Sequence, residues 1–217
     1  MPTCKSAPMD SVKTLKTQNP PILLASGSSY RKELLQRLQL NFIAQAPDID
    51  ETALPGESPL QTSQRLAVAK AQALSADYPN HLIIGSDQVA NLGNLHIGKP
   101  GNHQRALEQL MLMKGKVTTF HTALCLLDTR PGSKLPWQTD VISVELKMRD
   151  LSAAEFDAYL RIEQPYDCAG SAKNEGLGIS LIEFIKSEDP SALTGLPLIS
   201  LTSMLRKAGV QFYAIQE

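Results

Sequence analysis

Apolar residues occur along this chain in short runs and then at helical spacing, the pattern of strands that lead into helices. Residues 22–25 form an unbroken apolar run typical of a buried strand, and Leu34, Leu35 and Leu38 then recur on one helical face. The pattern predicts strands near 22–25, 41–44, 81–85, 117–127, 138–148 and 178–186, a hairpin over 88–97, and helices near 29–38, 58–78, 102–114, 153–163 and 197–209. Because alternating strands and helices are followed by a long hairpin, we expect an α/β fold with a mixed parallel and antiparallel sheet flanked by helices.

Polar residues of the capping type mark several predicted helix ends. Ser58 and Pro59 suit the N-cap and first position of a helix. Ser152 followed by Glu155 is a capping box. These residues fix where two of the predicted helices begin.

The bulk composition is that of an ordinary globular protein. The chain has 217 residues, of which 42% are hydrophobic, enough for a core. We expect a disordered tail over the polar residues 1–20 and a single domain over 21–217. Apolar runs stay well short of the roughly 20 residues that span a membrane. A net charge of -1 and 5% aromatic residues argue against nucleic acid or a membrane as partner.

The three cysteines, Cys4, Cys125 and Cys168, are widely spaced and odd in number. This indicates free thiols in a reducing compartment, and hence a cytoplasmic protein, and it does not match the spacing of zinc ligands. Cys168 is a candidate nucleophile, but no histidine clearly accompanies it. A buried structural thiol is the favoured interpretation.

A small polar loop, residues 26–29, joins the first predicted strand to the first predicted helix. The unpaired amides of a helix N-terminus and its positive dipole end together favour an anion. Arg31 lies in the first turn of that helix, where a cation opposes the dipole by a few tenths to about 1 kcal/mol. A bound anion would reverse the sign of that cost, so the loop is a candidate phosphate site.

Two further charged residues lie where a ligand could meet them. Asp87 follows the apolar run 82–84, and open α/β sheets bind ligands at the carboxyl ends of strands; it could equally cap a hairpin turn. Lys99, between Gly98 and Pro100, has a restricted backbone that could aim its ammonium at phosphates. A solvated loop lysine is the alternative.

A lysine in a helix and a glycine-rich loop are weaker candidates. Lys70 lies among alanines, where a lysine often extends its stem along apolar surface to reach water. The loop 169–178 carries three glycines with Lys173 and Glu175, and glycines allow close approach to a ligand or simply connect two elements. It lacks the spacing of Gly-x-Gly-x-x-Gly and the Gly-Lys-Ser/Thr ending, which excludes a Rossmann dinucleotide site and a Walker-type kinase.

An acidic loop could hold a metal. Asp48, Asp50 and Glu51 offer oxygen ligands that suit magnesium or manganese, although taken alone they indicate an acidic surface loop. Glu51 and Asp87 together could hold a divalent cation or activate water. Four cations could neutralise a polyphosphate: Arg31, Lys70, Lys99 and Lys173.

The order and spacing of these features resemble the Maf family of nucleoside triphosphate pyrophosphatases over about residues 21–210. The matching stretches are Leu24-Ala25-Ser26-Gly27-Ser28 with Arg31, Asp50-Glu51, Lys70-Ala71, Gly85-Ser86-Asp87, Gly98-Lys99-Pro100, and Ala169-Gly170-Ser171 through Glu175-Gly176. The resemblance implies hydrolysis of a nucleoside triphosphate to monophosphate and diphosphate with a divalent cation (Mg²⁺, Mn²⁺ or Co²⁺). It also implies an elongated fold of the Maf and inosine-triphosphatase type and a homodimer.

The resemblance further implies roles for single residues. Asp87 matches the proton acceptor of the family and, with Glu51, its metal site. The positions that match catalytic or substrate-binding sites are Ser26, Arg31, Lys70 and Lys99, and we add Lys173 from the glycine-rich loop.

Three positions of the family set substrate specificity, here Tyr30, Gln88 and Glu175. The pyrimidine-preferring branch usually has Thr or Ser, then Thr, then Gln, whereas this chain is similar to the bacterial branch that hydrolyses 7-methyl-GTP. N7-methylation makes guanine cationic, so Tyr30 could stack on it and Glu175 could accept hydrogen bonds from its Watson–Crick edge. Related sequences often carry tryptophan in place of Tyr30, a stronger platform for a cation, so we expect looser selectivity here.

Together these features predict an enzyme that cleaves 7-methyl-GTP, or a related modified nucleotide, between its α- and β-phosphates. The nearest alternative is the same chemistry on dTTP and UTP. A non-catalytic nucleotide-binding regulator of cell division is the alternative of another class. It is disfavoured because both acidic candidates, Asp87 and Glu51, are present.

Overall fold

The computed structural model describes residues 19–213 of the chain. The strands are β1 Ile22–Ala25, β2 Phe42–Gln45, β3 Leu82–Leu92, β4 Leu95–Ile97, β5 Val117–Asp128, β6 Trp137–Met148 and β7 Ile182–Lys186. The helices are α1 Ser29–Gln36, α2 Pro59–Ala73, α3 His103–Met113, α4 Ala153–Glu163 and α5 Leu198–Lys207, with short 3₁₀ turns at Ala169–Ser171, Leu177–Leu181 and Pro190–Thr194. Among these residues, no helix has the length and apolarity to cross a membrane.

The predicted tail lies outside the described residues apart from its last two positions. At that boundary Asn19 donates a 2.8 Å hydrogen bond to the carbonyl of Gln211 and accepts one of 2.9 Å from its amide. The described chain is therefore attached to the fold from its first residue. The disorder of the residues before it stays a prediction.

One seven-stranded sheet organises the molecule, and its mixed character is as predicted. The strand order is β2-β1-β3-β5-β6-β7, with β4 paired to β3 off this path. β1 runs parallel to both β2 and β3, while β3, β5, β6 and β7 pair antiparallel. β1 ends at Ala25, which pairs with Gly85, whereas β3 continues to Leu92, so Ser26 leaves the sheet next to the part of β3 that carries Ser86 and Asp87.

Two predicted elements of the region 81–97 proved to be one strand. β3 continues without a break through Asp87, because β5 pairs with it from Leu82 to Asn91. The buried Ser86 hydroxyl donates to the carbonyl of Ala123 at 2.8 Å, so a polar side chain is satisfied inside the sheet. The predicted hairpin is confirmed: its first arm is the far end of β3, and its second arm is β4, which pairs with it.

Two other predicted boundaries were wrong. The second helix was expected to reach about residue 78 but ends at Ala73 and continues as turns. The segment 178–186 was expected to be all strand, yet its first part is a 3₁₀ turn and only Ile182–Lys186 pairs with β6. The capping boxes at the starts of α2 and α4 form on Ser58 and Ser152, at the predicted places.

Helix α2 packs unusually close to β3, and Gly85 makes this possible. A Cβ at Gly85 would lie 2.1 Å from the carbonyl oxygen of Ala67 and 2.9 Å from the amide of Ala71, distances that no side chain tolerates. The two alanines and Leu23 belong to the buried cluster between helix and sheet. This contact sets the depth at which the next residues of α2 and β3 meet.

Candidate active site

A cavity of about 520 Å³ opens beyond the end of β1, beside the middle of β3. Its walls come from separate parts of the chain: the turn into α1, the loop after β2, helix α2, strand β3, and the loops 167–175 and 193–195. Ten candidate residues of the sequence line it: Ser26, Tyr30, Arg31, Glu51, Lys70, Asp87, Gln88, Lys99, Lys173 and Glu175. Of the acidic loop, Glu51 reaches the cavity, whereas Asp50 accepts a hydrogen bond from the amide of Thr52.

The turn into α1 is held in shape by its own serines. Ser28 is the N-cap, and its hydroxyl accepts from the amide of Arg31 at 3.4 Å. Ser26 is buried, and its hydroxyl accepts from the amide of Ser28 at 3.2 Å. The N-terminus of α1 therefore faces the cavity, at the place where the sequence predicts an anion site.

Arg31 extends from α1 into the cavity wall. Its Nε donates to the carbonyl of Gly195 at 2.8 Å, and Nη1 donates to the Ser26 hydroxyl at 3.3 Å. Burial lowers the pKa of Arg31, and the nearby carboxylates of Asp87 and Glu51 oppose that shift. A guanidinium keeps its proton in proteins, so Arg31 is a fixed cation at the cavity.

Lys70 and Asp87 form a buried ion pair at the floor of the cavity. The Lys70 ammonium lies 2.6 Å from Asp87 Oδ1, and each residue is only 5% exposed. The same ammonium lies 3.0 Å from Oε1 of Glu51, whose side chain is 58% exposed. Lys70 therefore does not extend to bulk water, the alternative left open by the sequence, but joins the two acidic candidates.

Opposing influences act on the carboxyl group of Asp87. Burial raises the pKa of Asp87, while the positive charges of Lys70 and Arg31 lower it. Burial is the larger effect, because a carboxylate loses most of its water in this position. The result is a carboxyl group that binds a proton more readily than an exposed aspartate and stays paired with a cation.

Lys99 reaches the cavity from the loop between β4 and α3. Its side chain is exposed, and it lines the rim of the cavity. The carbonyl of Gly98, just before it, accepts a 2.9 Å hydrogen bond from Nε2 of Gln109. This bond holds the backbone just before Lys99. Such a fixed backbone is suited to directing the exposed side chain at a ligand.

Tyr30 lies at the other side of the cavity, where three groups contact it. Its hydroxyl donates to Asp167 Oδ1 at 3.4 Å and accepts from the thiol of Cys168 at 3.2 Å. The ammonium of Lys173 lies 6.0 Å from the ring centroid and 3.4 Å from Oε1 of Glu163. Burial raises the pKa of Tyr30, so it stays a neutral phenol. One face of its ring already has a cation over it.

Gln88 is anchored by the protein through one end of its amide. Nε2 donates to the hydroxyl of Thr122 and to the carbonyls of Ala192 and Leu193 at 2.9 to 3.0 Å. Its Oε1 is the atom left to face a ligand, so Gln88 can act as an acceptor at the cavity.

The glycines of the loop 169–178 serve close packing within the protein. A Cβ at Gly178 would lie 2.5 Å from the backbone of Lys173, and one at Gly176 would lie 2.7 Å from the carboxylate of Glu163. Glu163 also accepts from the amide of Leu177 at 2.8 Å. The loop is thereby folded tightly enough to present Glu175, which is exposed, at the cavity.

Sequence reasoning missed the wall formed by residues 190–195. Asp189 caps the 3₁₀ turn by accepting from Ser191, and its other oxygen accepts from the amide of Ile199 at 2.7 Å. The turn ends at Gly195, with a φ of +110°, whose carbonyl accepts from Arg31 and from Ser86. The run Asp189-Pro190 followed by a glycine was the available signal for this turn.

The expected burial of Cys168 was wrong. Cys125 is fully buried, but Cys168 is only half-buried and lines the cavity beside Tyr30. Burial raises the pKa of Cys168 to about 11, so at neutral pH it is a thiol and not a nucleophilic thiolate.

The carboxylates of Glu51 and Asp87 are oxygen donors that suit a hard divalent cation. Glu51 and Asp87 both direct a carboxylate oxygen at the Lys70 ammonium. Within residues 19–213 no group of three or more histidine, cysteine or acidic side chains is placed to hold a metal. Two carboxylates fit Mg²⁺, which commonly binds one or two of them and fills its remaining positions with water and phosphate oxygens.

Sequence comparisons point to one family, and a structural comparison shows a known protein with the same fold. The family model described as Maf-like protein matches residues 21–208. A protein of Cupriavidus pinatubonensis named 7-methyl-GTP pyrophosphatase is 56% identical over 91% of this chain and 98% of its own length. A protein of the same name from Ralstonia nicotianae is 54% identical over 90% and 99%. A solved HAM1 protein of Coxiella burnetii has the same fold, with a TM-score of 0.50 at 16% identity over 87% and 99%.

Proposed function

Because this chain belongs to the Maf family, we propose that it hydrolyses 7-methyl-GTP to the monophosphate and diphosphate. Two relatives at 54 and 56% identity are named 7-methyl-GTP pyrophosphatase, and this chain aligns with almost the whole length of each. The observation that carries the proposal is the buried pair of Lys70 and Asp87 on the floor of a cavity that a helix N-terminus also faces. Phosphate binding and proton transfer can both occur there.

The triphosphate would bind at the turn into α1. The helix N-terminus and Arg31 offer positive charge next to Ser26, and Lys99 reaches the same cavity from the rim. An incoming phosphate would also give Lys70 a further anionic partner beside Asp87 and Glu51. Fixed cations around a phosphoryl group stabilise the charge that develops as the anhydride bond breaks.

Asp87 would accept the proton of the attacking water. Water bonds to phosphorus, the bridging oxygen between the α- and β-phosphates leaves with the diphosphate, and the proton passes to the carboxylate. A raised pKa makes Asp87 a better base than an exposed aspartate, because its carboxylate holds a proton more strongly. Lys70 keeps the carboxylate oriented toward the cavity.

Glu51 and Asp87 would hold the divalent cation, Mg²⁺, Mn²⁺ or Co²⁺. When bound, the cation supplies further neutralisation of the phosphate charge and a point that orients the substrate. Glu51 is suited to this role because it is exposed and reaches the cavity from a loop. Asp87 contacts the same Lys70 ammonium as Glu51, so the two carboxylates lie close together.

The base would lie between Tyr30, Gln88 and Glu175. The phenol ring offers a face to the cationic methylated base, and the carboxylate of Glu175 offers an acceptor for the Watson–Crick edge. Gln88 contributes an acceptor oxygen, since its amide nitrogen is already bonded to the protein. Lys173 lines the same cavity with its ammonium 6.0 Å from the Tyr30 ring centroid, so it would lie close to the bound base.

A nucleotide panel tests the substrate. Diphosphate release is measured from 7-methyl-GTP, GTP, dTTP and UTP with each of Mg²⁺, Mn²⁺ and Co²⁺. A preference for 7-methyl-GTP supports the proposal. A preference for dTTP and UTP would mean that the base contacts of Tyr30, Gln88 and Glu175 were misassigned. Tight binding of nucleotides with no turnover of any would favour a regulator instead.

The same proposal includes a homodimer in the cytoplasm. Cys125 and Cys168 are free thiols, as expected in a reducing compartment. The dimer follows from the family resemblance, and light scattering coupled to gel filtration measures it. A mass near that of one 23.6 kDa chain at working concentration contradicts the dimer.

A further inference from the structure

Gln109 on helix α3 joins two loops of the cavity that are far apart in sequence. Its Nε2 donates to the carbonyl of Gly98 at 2.9 Å, and its Oε1 accepts from the hydroxyl of Ser171 at 2.8 Å. Gly98 precedes Lys99, which lines the cavity rim. Ser171 begins the segment that carries Lys173 and Glu175 to the opposite wall. One side chain thus uses both ends of its amide to connect the two loops.

We propose that Gln109 is a positioning residue that couples the phosphate end of the site to the base end. The proposal rests on the proposed function for the identity of those two ends. Gln109 itself lies outside the lining of the main cavity. It acts through the backbone of Gly98 and the side chain of Ser171.

The base end needs this contact because its backbone is in an uncommon conformation. Ser171 has a φ of +56°, in the left-handed region that residues other than glycine rarely adopt, and it directly follows Gly170 with a φ of +76°. The Ser171 side chain is fully buried, and its hydroxyl donates to Gln109. A buried hydroxyl without a partner is unfavourable, so loss of the bond is expected to release this turn.

The loop at the phosphate end has fewer packing contacts than the loop at the base end. A Cβ at Gly98 would meet no atom within 4 Å, so packing does little to fix the peptide that precedes Lys99. On the far side of that lysine, the amide of Gly101 donates to the carbonyl of Tyr166 at 2.9 Å. The bond from Gln109 is the contact on the near side, and the two together define the direction of the Lys99 backbone.

Three variants separate the two contacts. Ser171→Ala removes the bond at the base end and leaves the one to Gly98. Gln109→Glu keeps an acceptor for Ser171 but has no N–H for the Gly98 carbonyl. Gln109→Met removes both at similar volume. The matched control is Gln104→Ala on the same helix, since Gln104 bonds only to Glu108 on the exposed surface among the described residues.

The expected effects differ between the variants. Ser171→Ala lowers the ratio of kcat/KM for 7-methyl-GTP over GTP by about three- to tenfold, the worth of one hydrogen bond. Gln109→Glu raises KM for both nucleotides by a similar factor and keeps the ratio. Gln109→Met does both, and Gln104→Ala does neither. Equal losses of kcat for both nucleotides in all three variants, together with a lowered Tm, would indicate a structural role only and overturn the proposal.

Hydrogen exchange without any nucleotide keeps this test separate from the proposed function. Gln109→Met is expected to speed amide exchange in residues 98–101 and 169–175, whereas Gln104→Ala leaves both segments as in the natural protein. If no nucleotide is turned over, the proposed function fails and the exchange result still decides whether Gln109 fixes the loops. Unchanged exchange in both segments would overturn the positioning role whatever the activity.

Discussion

The ammonium of Lys70 lies 2.6 Å from the carboxylate of Asp87, and both side chains are buried at the floor of the cavity. Each charge makes the other tolerable there, because an unpaired charge in this position would lose its water without compensation. The pair also joins α2 to β3 at the point where Gly85 allows the closest approach of helix and sheet. Stability and proposed chemistry therefore depend on the same contact.

Replacement of Gly85 by alanine should separate this pair. The new Cβ would lie 2.1 Å from the carbonyl oxygen of Ala67, so α2 must move away from β3, at a cost of about 1–3 kcal/mol in the free energy of unfolding. Lys70 moves with the helix, and kcat should fall as well. Urea denaturation and steady-state kinetics measure the two effects. Gln72→Ala, an exposed position on α2, is the control and should change neither; a Gly85→Ala variant of normal stability would contradict the packing argument.

Removal of the Lys70 charge should destabilise the protein in a pH-dependent way. Lys70→Met leaves the Asp87 carboxylate buried without its cation, which typically costs about 3–5 kcal/mol. The pKa of Asp87, already raised by burial, rises further when the lowering effect of Lys70 is lost. The folded state then binds the proton more strongly than the unfolded state, so stability decreases as pH rises above the unfolded pKa.

Urea denaturation at pH 5 and pH 8 measures this difference. We expect Lys70→Met to be more destabilised at pH 8 than at pH 5, and the double variant Lys70→Met/Asp87→Asn to recover part of the loss. Equal destabilisation at both pH values, with no recovery in the double variant, would show that the charge of Asp87 is not the cause.

The acid limb of the activity profile should report the ionisation of Asp87. Burial raises the pKa of Asp87 and Arg31 lowers it, so kcat/KM should fall toward acid through an apparent pKa above the ordinary aspartate value. In Arg31→Gln the lowering charge is gone, and this limb should move to higher pH. Kinetics of both proteins between pH 4 and 9 test it. A limb that stays in place or moves to lower pH would remove Asp87 as the titrating group.

Selectivity for the methylated base should depend on the aromatic face of residue 30. Tyr30→Trp offers a stronger platform for a cation, worth about 0.5–1 kcal/mol, or two- to fivefold in the ratio of kcat/KM for 7-methyl-GTP over GTP. Tyr30→Phe keeps the ring and loses only the hydroxyl contacts to Asp167 and Cys168, so it should keep the ratio. If Tyr30→Phe and Tyr30→Trp change this ratio of kcat/KM alike, the ring face does not recognise the methylated base.

Local sequence patterns predicted the strands and helices better than the connections between them. The apolar run of β1 and the caps of α2 and α4 are each specified within a few residues, and each was found in place. Ser86 and Asp87 suggested a turn because polar residues seldom continue a buried strand. The partner that keeps them in the ladder, β5, lies more than thirty residues away along the chain.

The candidate site shows the same division between local and distant information. Each charged residue could be singled out by its own neighbours in sequence, but the meeting of Glu51, Lys70 and Asp87 depends on how α2 packs on β3. The wall at Gly195 and the link made by Gln109 depend on hydrogen bonds between segments 62 to 164 residues apart. Periodicity carries no information about such contacts.

The central claim is that Asp87 accepts the proton of water in the hydrolysis of 7-methyl-GTP, and diphosphate release by Asp87→Asn tests it most directly. Asp77→Asn, an exposed change on the turns after α2, is the matched control, and nucleotide binding is measured alongside. We predict that Asp87→Asn still binds the nucleotide while kcat falls by about 10²- to 10⁴-fold, and that Asp77→Asn behaves as the natural protein. A folded Asp87→Asn variant with kcat near that of the natural protein would contradict the account.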